Sequence, residues 1–349
     1  MTRILYLTSS DYAALTGGHI YNTHLFSALR HQGQDPRVLK LHAAFPDISA
    51  QERSIVMEHL RSLPAECLLL MDHVYLCRLR QELADSPNPI AAIFHHSDVM
   101  EHGTDADEEG QSLRSIEKAA LQLATKIIVS SGETQRYLAT QYGISTDRIL
   151  VAIPGNPPAH KGTAGQIDAG PLRILSVGAL IPRKRYHHII QAASQLGNFD
   201  WHWNIVGDPR RQPDHVEELK AQVRTLGLEN RLRFLEDVSD AELEALRLAS
   251  DICVGASFYE GYGMAIAEAL RHGIPVVTTA SGAVSTWAGA GVLQVDAERP
   301  LAMAQAINQL AEDRATLLKL ADEAWRFGQA LPDWQTTFTG LTDWLLTPS

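Results

Sequence analysis

The chain has 349 residues, enough for two domains of ordinary size, each burying its own core. With 45% hydrophobic and 20% charged residues, its composition is that of a globular protein and not of a disordered, fibrous or membrane-spanning one. Lys and Arg number 30 against 41 Asp and Glu, a net charge of −11, which disfavours extended nucleic-acid binding and tight docking on an anionic membrane because both need clustered cations.

Short aliphatic and β-branched runs alternate with stretches of helical period, the pattern of parallel sheets built from βαβ units. In chain order, strands are predicted at Ile4–Thr8, Arg37–Leu41, Leu68–Met71, Ile90–Phe94, Ile127–Val129 and Ile149–Ala152, with a first crossover helix over His19–Arg30. From Ile153 to Pro171 neither period survives and Pro, Gly and Ala dominate, as in a linker. A second series follows, with strands at Arg173–Val177, Trp203–Val206, Arg233–Leu235, Ile252–Val254, Pro275–Thr278 and Val292–Val295. A helix over Ala241–Leu248 is announced by the capping box Ser239 to Glu242. After Ala330, Trp334, Phe338, Leu341 and Leu345 recur at helical spacing and predict one further amphipathic helix. The expectation is two α/β domains, residues 1–160 and 161–330, and a tail, 331–349.

The three cysteines, Cys67, Cys77 and Cys253, form no C-x-x-C pair, so neither a disulfide framework nor a thiolate zinc site is expected, and a cytoplasmic location follows. No leader is visible, and no run approaches the ~18–20 apolar residues that span a bilayer.

Ligands of doubly wound sheets sit at the carboxyl ends of the strands, so the chemistry should lie just after each one. After Ile252–Val254 comes Glu260-Gly-Tyr-Gly-Met-Ala-Ile-Ala-Glu268, in which Gly261 and Gly263 permit a tight turn and a helix starting near Met264 aims free amides at an anion. Glu268 falls among apolar neighbours and needs a partner, either a ribose diol or a structural arginine or backbone amide. After Arg173–Val177 come Gly178 and the cations Arg183, Lys184 and Arg185, suited to a diphosphate or, alternatively, forming a solvated basic turn. Gly207, after Trp203–Val206, and Asp237-Val238, after Arg233–Leu235, complete a row of loops. Thr16-Gly17-Gly18-His19 follows the first strand, and His95-His96 ends Ile90–Phe94, where an imidazole can act on a hydroxyl or donate to a phosphate, or simply be a surface pair. Glu101, Asp105, Asp107, Glu108 and Glu109 predict a mobile, solvated acidic loop and not a metal-binding D-x-D pair. Fingerprints of dinucleotide enzymes, P-loop proteins, H-E-x-x-H metalloproteases and G-x-S-x-G hydrolases are all missing.

In combination these segments resemble family 4 of the retaining glycosyltransferases. Glu260 and Glu268, enclosing Gly-Tyr-Gly, match that family's E-x7-E signature, together with Gly178, Lys184 and the loop at Val238. The resemblance implies the GT-B fold, an α/β architecture of two Rossmann-like, doubly wound domains facing across a cleft. It implies that domain 161–330 takes a nucleotide sugar of UDP or GDP type, with Glu268 on the ribose and Val238 near the base. Lys184 then lies on the diphosphate, with Gly178, Gly207, Arg183 and Arg185 also donor-binding, and Glu260 with Gly261, Tyr262, Gly263, Met264 and Ala265 holds the sugar. Domain 1–160 then takes a hydroxyl acceptor, with Gly17 and Gly18 near the phosphates and His95 or His96 beside the reacting centre, while the tail returns to this domain. Lys184, Glu260, His95 and His96 are the expected catalytic groups. No cofactor and no metal ion are implied, and the departing phosphate itself takes the acceptor proton. The implied partners are the donor and a hydroxyl acceptor, with no nucleic acid and at most peripheral membrane contact. Ala179 stands where the family carries Arg, and Ala256 where it carries Pro. This departure leaves as alternatives a catalytically impaired nucleotide-sugar-binding protein or another GT-B enzyme such as a sugar-phosphate epimerase.

Overall fold

The computed structural model describes residues 3–9, 16–42, 47–102, 108–165, 170–236, 238–279, 281–287 and 289–347. The chain divides into two compact units, Met1–Pro154 with Trp334–Ser349, and Gly155–Asp333.

The first unit is built on β1 (Ile4–Ser9), β2 (Arg37–Leu41), β3 (Leu68–Asp72), β4 (Ile90–Phe94), β5 (Lys126–Val129) and β6 (Ile149–Val151), paired in the order β2-β1-β3-β4-β5-β6. Every pairing is parallel. Strands of such a sheet are covered on both faces, which is why their sequences read as continuous apolar runs and why β1, β4 and β5 are buried throughout. One face packs Leu5, Leu69, Phe94 and Leu138 into one cluster; the other packs Ile4, Tyr6, Leu70 and Ile128 against Leu25 and Leu29 of the helix Gly17–His31. The topology reverses between β1 and β3, so the loops at their carboxyl ends flank the switch point of this sheet.

The tail differs from the single helix predicted. Two short helices, Trp334–Thr337 and Leu341–Leu346, are separated by Gly340 at φ 70°, a left-handed conformation that ends helical geometry. Phe338, Leu341 and Leu345 fill the cluster of Tyr21, Leu25 and Leu29. The Gln32 side chain donates to the Phe338 carbonyl at 2.7 Å and accepts from the Thr342 amide at 3.0 Å, and Lys126 Nζ donates to the carbonyls of Trp344, Leu345 and Thr347 at the last helix terminus. Three residues of the predicted acidic loop are helical instead: Glu101 lies in the helix Asp98–His102, and Glu108 and Glu109 open a 16-residue helix, Glu108–Leu123, whose positive end favours them. Asp105 and Asp107 lie outside the described residues.

The second unit contains β7 (Leu172–Val177), β8 (Trp201–Val206), β9 (Leu232–Leu235), β10 (Ile252–Gly255), β11 (Tyr259–Glu260), β12 (Val276–Thr278), β13 (Ser281–Gly282) and β14 (Val292–Gln294). Six of them form a parallel sheet in the order β14-β12-β10-β7-β8-β9, the Rossmann arrangement, and β11 pairs with β13 in a separate short ladder. Its switch point lies between β7 and β10. Trp201 and Trp203 are fully buried, and Trp203 Nε1 donates to Ser176 Oγ at 3.0 Å while that hydroxyl donates to the Val254 carbonyl at 2.7 Å, tying β8, β7 and β10 together. At the opposite, amino end of the same strands the buried Asp251 carboxylate accepts from the Gly165 amide and from the Arg173 amide, Nε and Nη2. The helix Asp240–Ala249 carries the capping box of Ser239 and Glu242. Among the described residues no helix is long and apolar enough to cross a membrane.

Candidate functional site

The carboxyl ends of β7 and β10 bring Lys184 and Glu260 together. The chain leaves β7 through Gly178, whose amide donates to the Val206 carbonyl at 3.0 Å, and passes a 3₁₀ turn, Pro182–Lys184, that ends in Arg185 at φ 50°. That left-handed residue swings the three consecutive cations in different directions. Lys184 Nζ reaches Glu260 Oε1 at 2.5 Å, Arg183 donates to the Tyr259 carbonyl at 2.8 Å, and Arg185 pairs with Glu298 at 2.9 Å and lies 4.8 Å from the centre of the Phe258 ring. The side chains are only 17%, 11% and 21% exposed, so the alternative of a solvated basic turn does not hold. Burial pushes the Glu260 carboxyl up, but Lys184 and Arg183, with hydrogen bonds from Lys184 and from Ser257 Oγ at 2.6 Å, outweigh it and hold the group at about 2. A fixed carboxylate with an ammonium against it therefore stands at the switch point.

Glycines keep the backbone open around this pair. A Cβ on Gly207 would stand 2.2 Å from the Gly178 carbonyl oxygen, so the two loops approach closer than any side chain allows. Gly263, at φ 92°, precedes the helix Met264–Arg271 without any side-chain cap, leaving the amides of Met264 and Ala265 at its positive end. A Cβ there would meet Val284 Cγ2 at 2.5 Å. Gly263→Ala is expected to cost about 2–4 kcal/mol in chemical denaturation, from left-handed strain plus overpacking. Gly143→Ala, at φ 67° with open space around it, should cost only the strain of about 1–2 kcal/mol. Gly261 and Tyr262 are buried, and the Tyr262 ring packs edge-on against Trp287 at 5.2 Å, so its side chain belongs to the core. A cavity of about 30 Å³, the size of one water, lies beneath the loop among Val177, Lys184, Tyr186, Ser257 and Glu260.

Glu268, one turn further along the same helix, pairs with Arg247 Nη2. The structural-arginine alternative is thus realised for one carboxylate oxygen, Oε2, and the side chain keeps 23% of its surface exposed. Burial pushes this carboxyl up, and Arg247 and His272 oppose the rise. Arg247 and Glu244, both on the helix Asp240–Ala249, face Glu268 and His272; His272 Nε2 lies 2.8 Å from Glu244 Oε2 and its Nδ1 2.7 Å from the Glu268 carbonyl. Val238, half-buried, immediately precedes this helix, and Asp237 lies outside the described residues. Sequence reasoning missed Arg247; its only local signal is a cation in the last turn of a helix.

In the first unit Gly17 and Gly18 open the helix Gly17–His31, capped by Thr16 Oγ1, which accepts from the His19 amide at 3.4 Å. A Cβ on Gly18 would touch the His95 ring at 3.2 Å, so Gly18 and His95 are packed together. His95 Nε2 lies 3.1 Å from Asn22 Oδ1 and 3.5 Å from Asp72 Oδ2, with Tyr21 edge-on at 5.3 Å. Burial pushes this imidazole down to about 4 although Asp72 opposes it. His95, its side chain 16% exposed, is therefore a half-buried neutral imidazole packed against Gly18 and Tyr21, and His96 beside it is likewise half-buried. Behind them lie Asp72, His73, Asp98 and Glu117, a group that no sequence motif marks because four separate elements supply it.

Residues 163–327 match the family described as glycosyl transferases group 1. This segment is similar to that family along its length. It contains both glutamates and Lys184. The chain is 29% identical over 233 residues to the D-inositol 3-phosphate glycosyltransferase of Corynebacterium glutamicum, covering 62% of this chain and 56% of that one. It is 25% identical over 317 residues to the protein of that name from Nocardia farcinica, covering 83% and 68%. The chain thus spans little more than half the length of the first of these relatives. Among solved structures, sucrose-phosphate synthase from Thermosynechococcus elongatus superposes with a TM-score of 0.80 at 20% identity over 98% of both chains. HepE of Anabaena, solved with UDP and glucose, superposes with a TM-score of 0.76 at 21% identity over 100% of both. The fold of the chain, with the matched segment in its second Rossmann-like unit, is GT-B.

Proposed function

We propose that this chain is a retaining glycosyltransferase that moves a hexose from a uridine-diphosphate sugar to a hydroxyl acceptor and uses no metal ion at the diphosphate. The observation that carries the reading is the pair of Lys184 and Glu260 at the switch point of the second unit, beside an uncapped helix terminus. As the bond to the sugar breaks, negative charge grows on the departing diphosphate, and a positioned ammonium with free amides stabilises it in place of a metal. Lys184 supplies the charge, Glu260 orients Lys184 and accepts from a sugar hydroxyl, and the backbone from Gly261 to Ala265 meets the sugar and its phosphate. Glu268 accepts from the ribose with the carboxylate that Arg247 steadies, and the Val238 loop lies toward the base. Arg183 and Arg185 are engaged elsewhere, so Ala179 is compensated by Lys184 and the helix amides rather than by its cationic neighbours. In the first unit His95 or His96 serves the acceptor. The three cysteines are free and buried, which suits a reducing compartment such as the cytoplasm.

The relative solved with UDP supports the choice of uridine. Thermal unfolding with UDP, GDP and ADP, each with chelator, tests it. UDP at 100 times its dissociation constant should add about 2.7 kcal/mol and raise the midpoint by several degrees, and Glu268→Ala should abolish the rise. No shift with any nucleoside diphosphate would defeat the reading. A shift with UDP but no release of UDP from a UDP-sugar, with any hydroxyl acceptor, would favour the impaired binding protein that Ala179 allows.

A further inference from the structure

The group behind His95 lies at the switch point of the first sheet and outside the donor chemistry. His73, 2% exposed, follows β3 directly; Asp98 follows β4; Glu117, 1% exposed, comes from the helix Glu108–Leu123. His73 Nε2 lies 3.3 Å from Glu117 Oε1 and 3.9 Å from Asp98 Oδ1, and one ligand atom from each of the three lies within 4.8 Å of the others. Two ligands at ~2.0–2.1 Å from a tetrahedral zinc ion stand about 3.3 Å apart, so the first separation is already that of a metal pair. Neither ring nitrogen of His73 has an aligned hydrogen bond, although both are buried.

The surroundings are those of a metal's second layer. Asp72 Oδ1 lies 3.3 Å from His73 Nδ1, the side from which a carboxylate orients an imidazole that ligates through Nε2. Glu117 is held in turn: Ser97 Oγ donates to Oε2 at 2.6 Å, the Tyr142 hydroxyl donates to the same oxygen, and the Asp98 amide donates to Oε1 at 2.9 Å. Glu117, Asp72 and the imidazoles of His73 and His96 all act on the Asp98 carboxyl. A divalent ion on a neutral imidazole and two carboxylates gives a neutral set, and the Asp98 side chain, 23% exposed, leaves access from solvent and room for water as a fourth ligand.

We propose that His73, Asp98 and Glu117 form a binding site for a zinc-class divalent cation, with Asp72 orienting His73 from behind. Because Asp72 also faces His95 through its other oxygen, a cation here stiffens the floor under that imidazole. The site is independent of the donor chemistry proposed above, and its test needs no turnover. The full chain, freed of affinity tag and stripped with chelator, is titrated with cobalt(II) and followed by visible absorption, then with zinc by calorimetry. One equivalent of each is expected at the tight site, with no thiolate charge-transfer band. Asp98→Asn should weaken that site at least about 100-fold, and Asp72→Asn by about 10–100-fold, the cost of losing an orienting carboxylate. Stoichiometry below one in the wild type, or unchanged affinity in Asp98→Asn, overturns the proposal. Should Asp98→Asn not fold, zinc added to the stripped wild-type chain decides alone: a midpoint raised by several degrees upholds the site, and an unchanged one removes it.

Discussion

Replacing Lys184 with alanine is expected to lower the turnover number for sugar transfer by about 10²–10³, the loss that follows removal of one preorganised charge contact to the developing anion. The structure sharpens this expectation, because Lys184 is not a free surface cation. Its ammonium is pinned at 2.5 Å from Glu260, and the pinning means that no reorganisation is needed when the diphosphate departs. The same pairing complicates the experiment: alanine leaves a buried carboxylate with only Ser257 Oγ at 2.6 Å and Arg183 at 4.0 Å, so stability falls as well. The double variant Lys184→Ala with Glu260→Gln separates the two effects. It should recover thermal stability, having no orphan charge, and recover none of the rate. Steady-state kinetics with saturating UDP-sugar decide, since a transition-state contact appears in the turnover number and a ground-state contact appears in KM alone. Turnover by Lys184→Ala within about threefold of wild type would mean that the charge is stabilised by something else, and the assignment of the group 1 site would have to be abandoned.

The elements of both sheets are legible in the sequence because they rest on local physics. Strands such as Leu68–Asp72 and Ile90–Phe94 are apolar runs bounded by turns, and the helix behind Ser239 is fixed by a capping box four residues long. The tail departs from a single helix for an equally local reason: Trp334, Phe338, Leu341 and Leu345 keep helical spacing across a break that the left-handed φ of Gly340 makes. At the site, the residue types of Glu260, Glu268 and Lys184 are readable from their motifs, whereas their partners are not. Arg247 stands 21 positions from Glu268, and Lys184 stands 76 from Glu260, so each pairing exists only once the strands are in register. The same holds more strongly for Asp72, His73, Asp98 and Glu117. Apart from the adjacent Asp72 and His73, no spacing in the sequence joins them, and the acidic pair that does look like a motif, Asp105 and Asp107, is a different place in the chain.

Asp251→Ala is expected to destabilise the second unit by about 3–5 kcal/mol, the cost of breaking a buried ion pair by removing one partner. The carboxylate is saturated: Oδ1 accepts from the Gly165 amide at 3.1 Å and Arg173 Nη2 at 2.9 Å, and Oδ2 accepts from the Arg173 amide at 3.0 Å and Nε at 2.9 Å. Its own amide donates to the Arg173 carbonyl at 2.8 Å, so one residue fixes the start of β7, the start of β10 and the segment that leads into them. Those are the strands whose far ends carry Lys184 and Glu260, yet Asp251 lies at the amino end of the sheet, away from the chemistry. The variant should therefore lose stability in denaturant while its turnover number, measured well below the melting transition, stays near that of wild type. Two units of this size can unfold separately, so the transition must be followed by a probe of the second unit, for which the buried Trp201 and Trp203 serve. Replacing both partners, Arg173→Met with Asp251→Leu, should cost less than Asp251→Ala alone, because both variants leave the Gly165 and Arg173 amides without the carboxylate and only the single one also leaves the Arg173 charge unpaired. A single-variant loss below about 1 kcal/mol would place this pair with solvent-exposed bridges and would mean that the strand starts are held by the sheet alone.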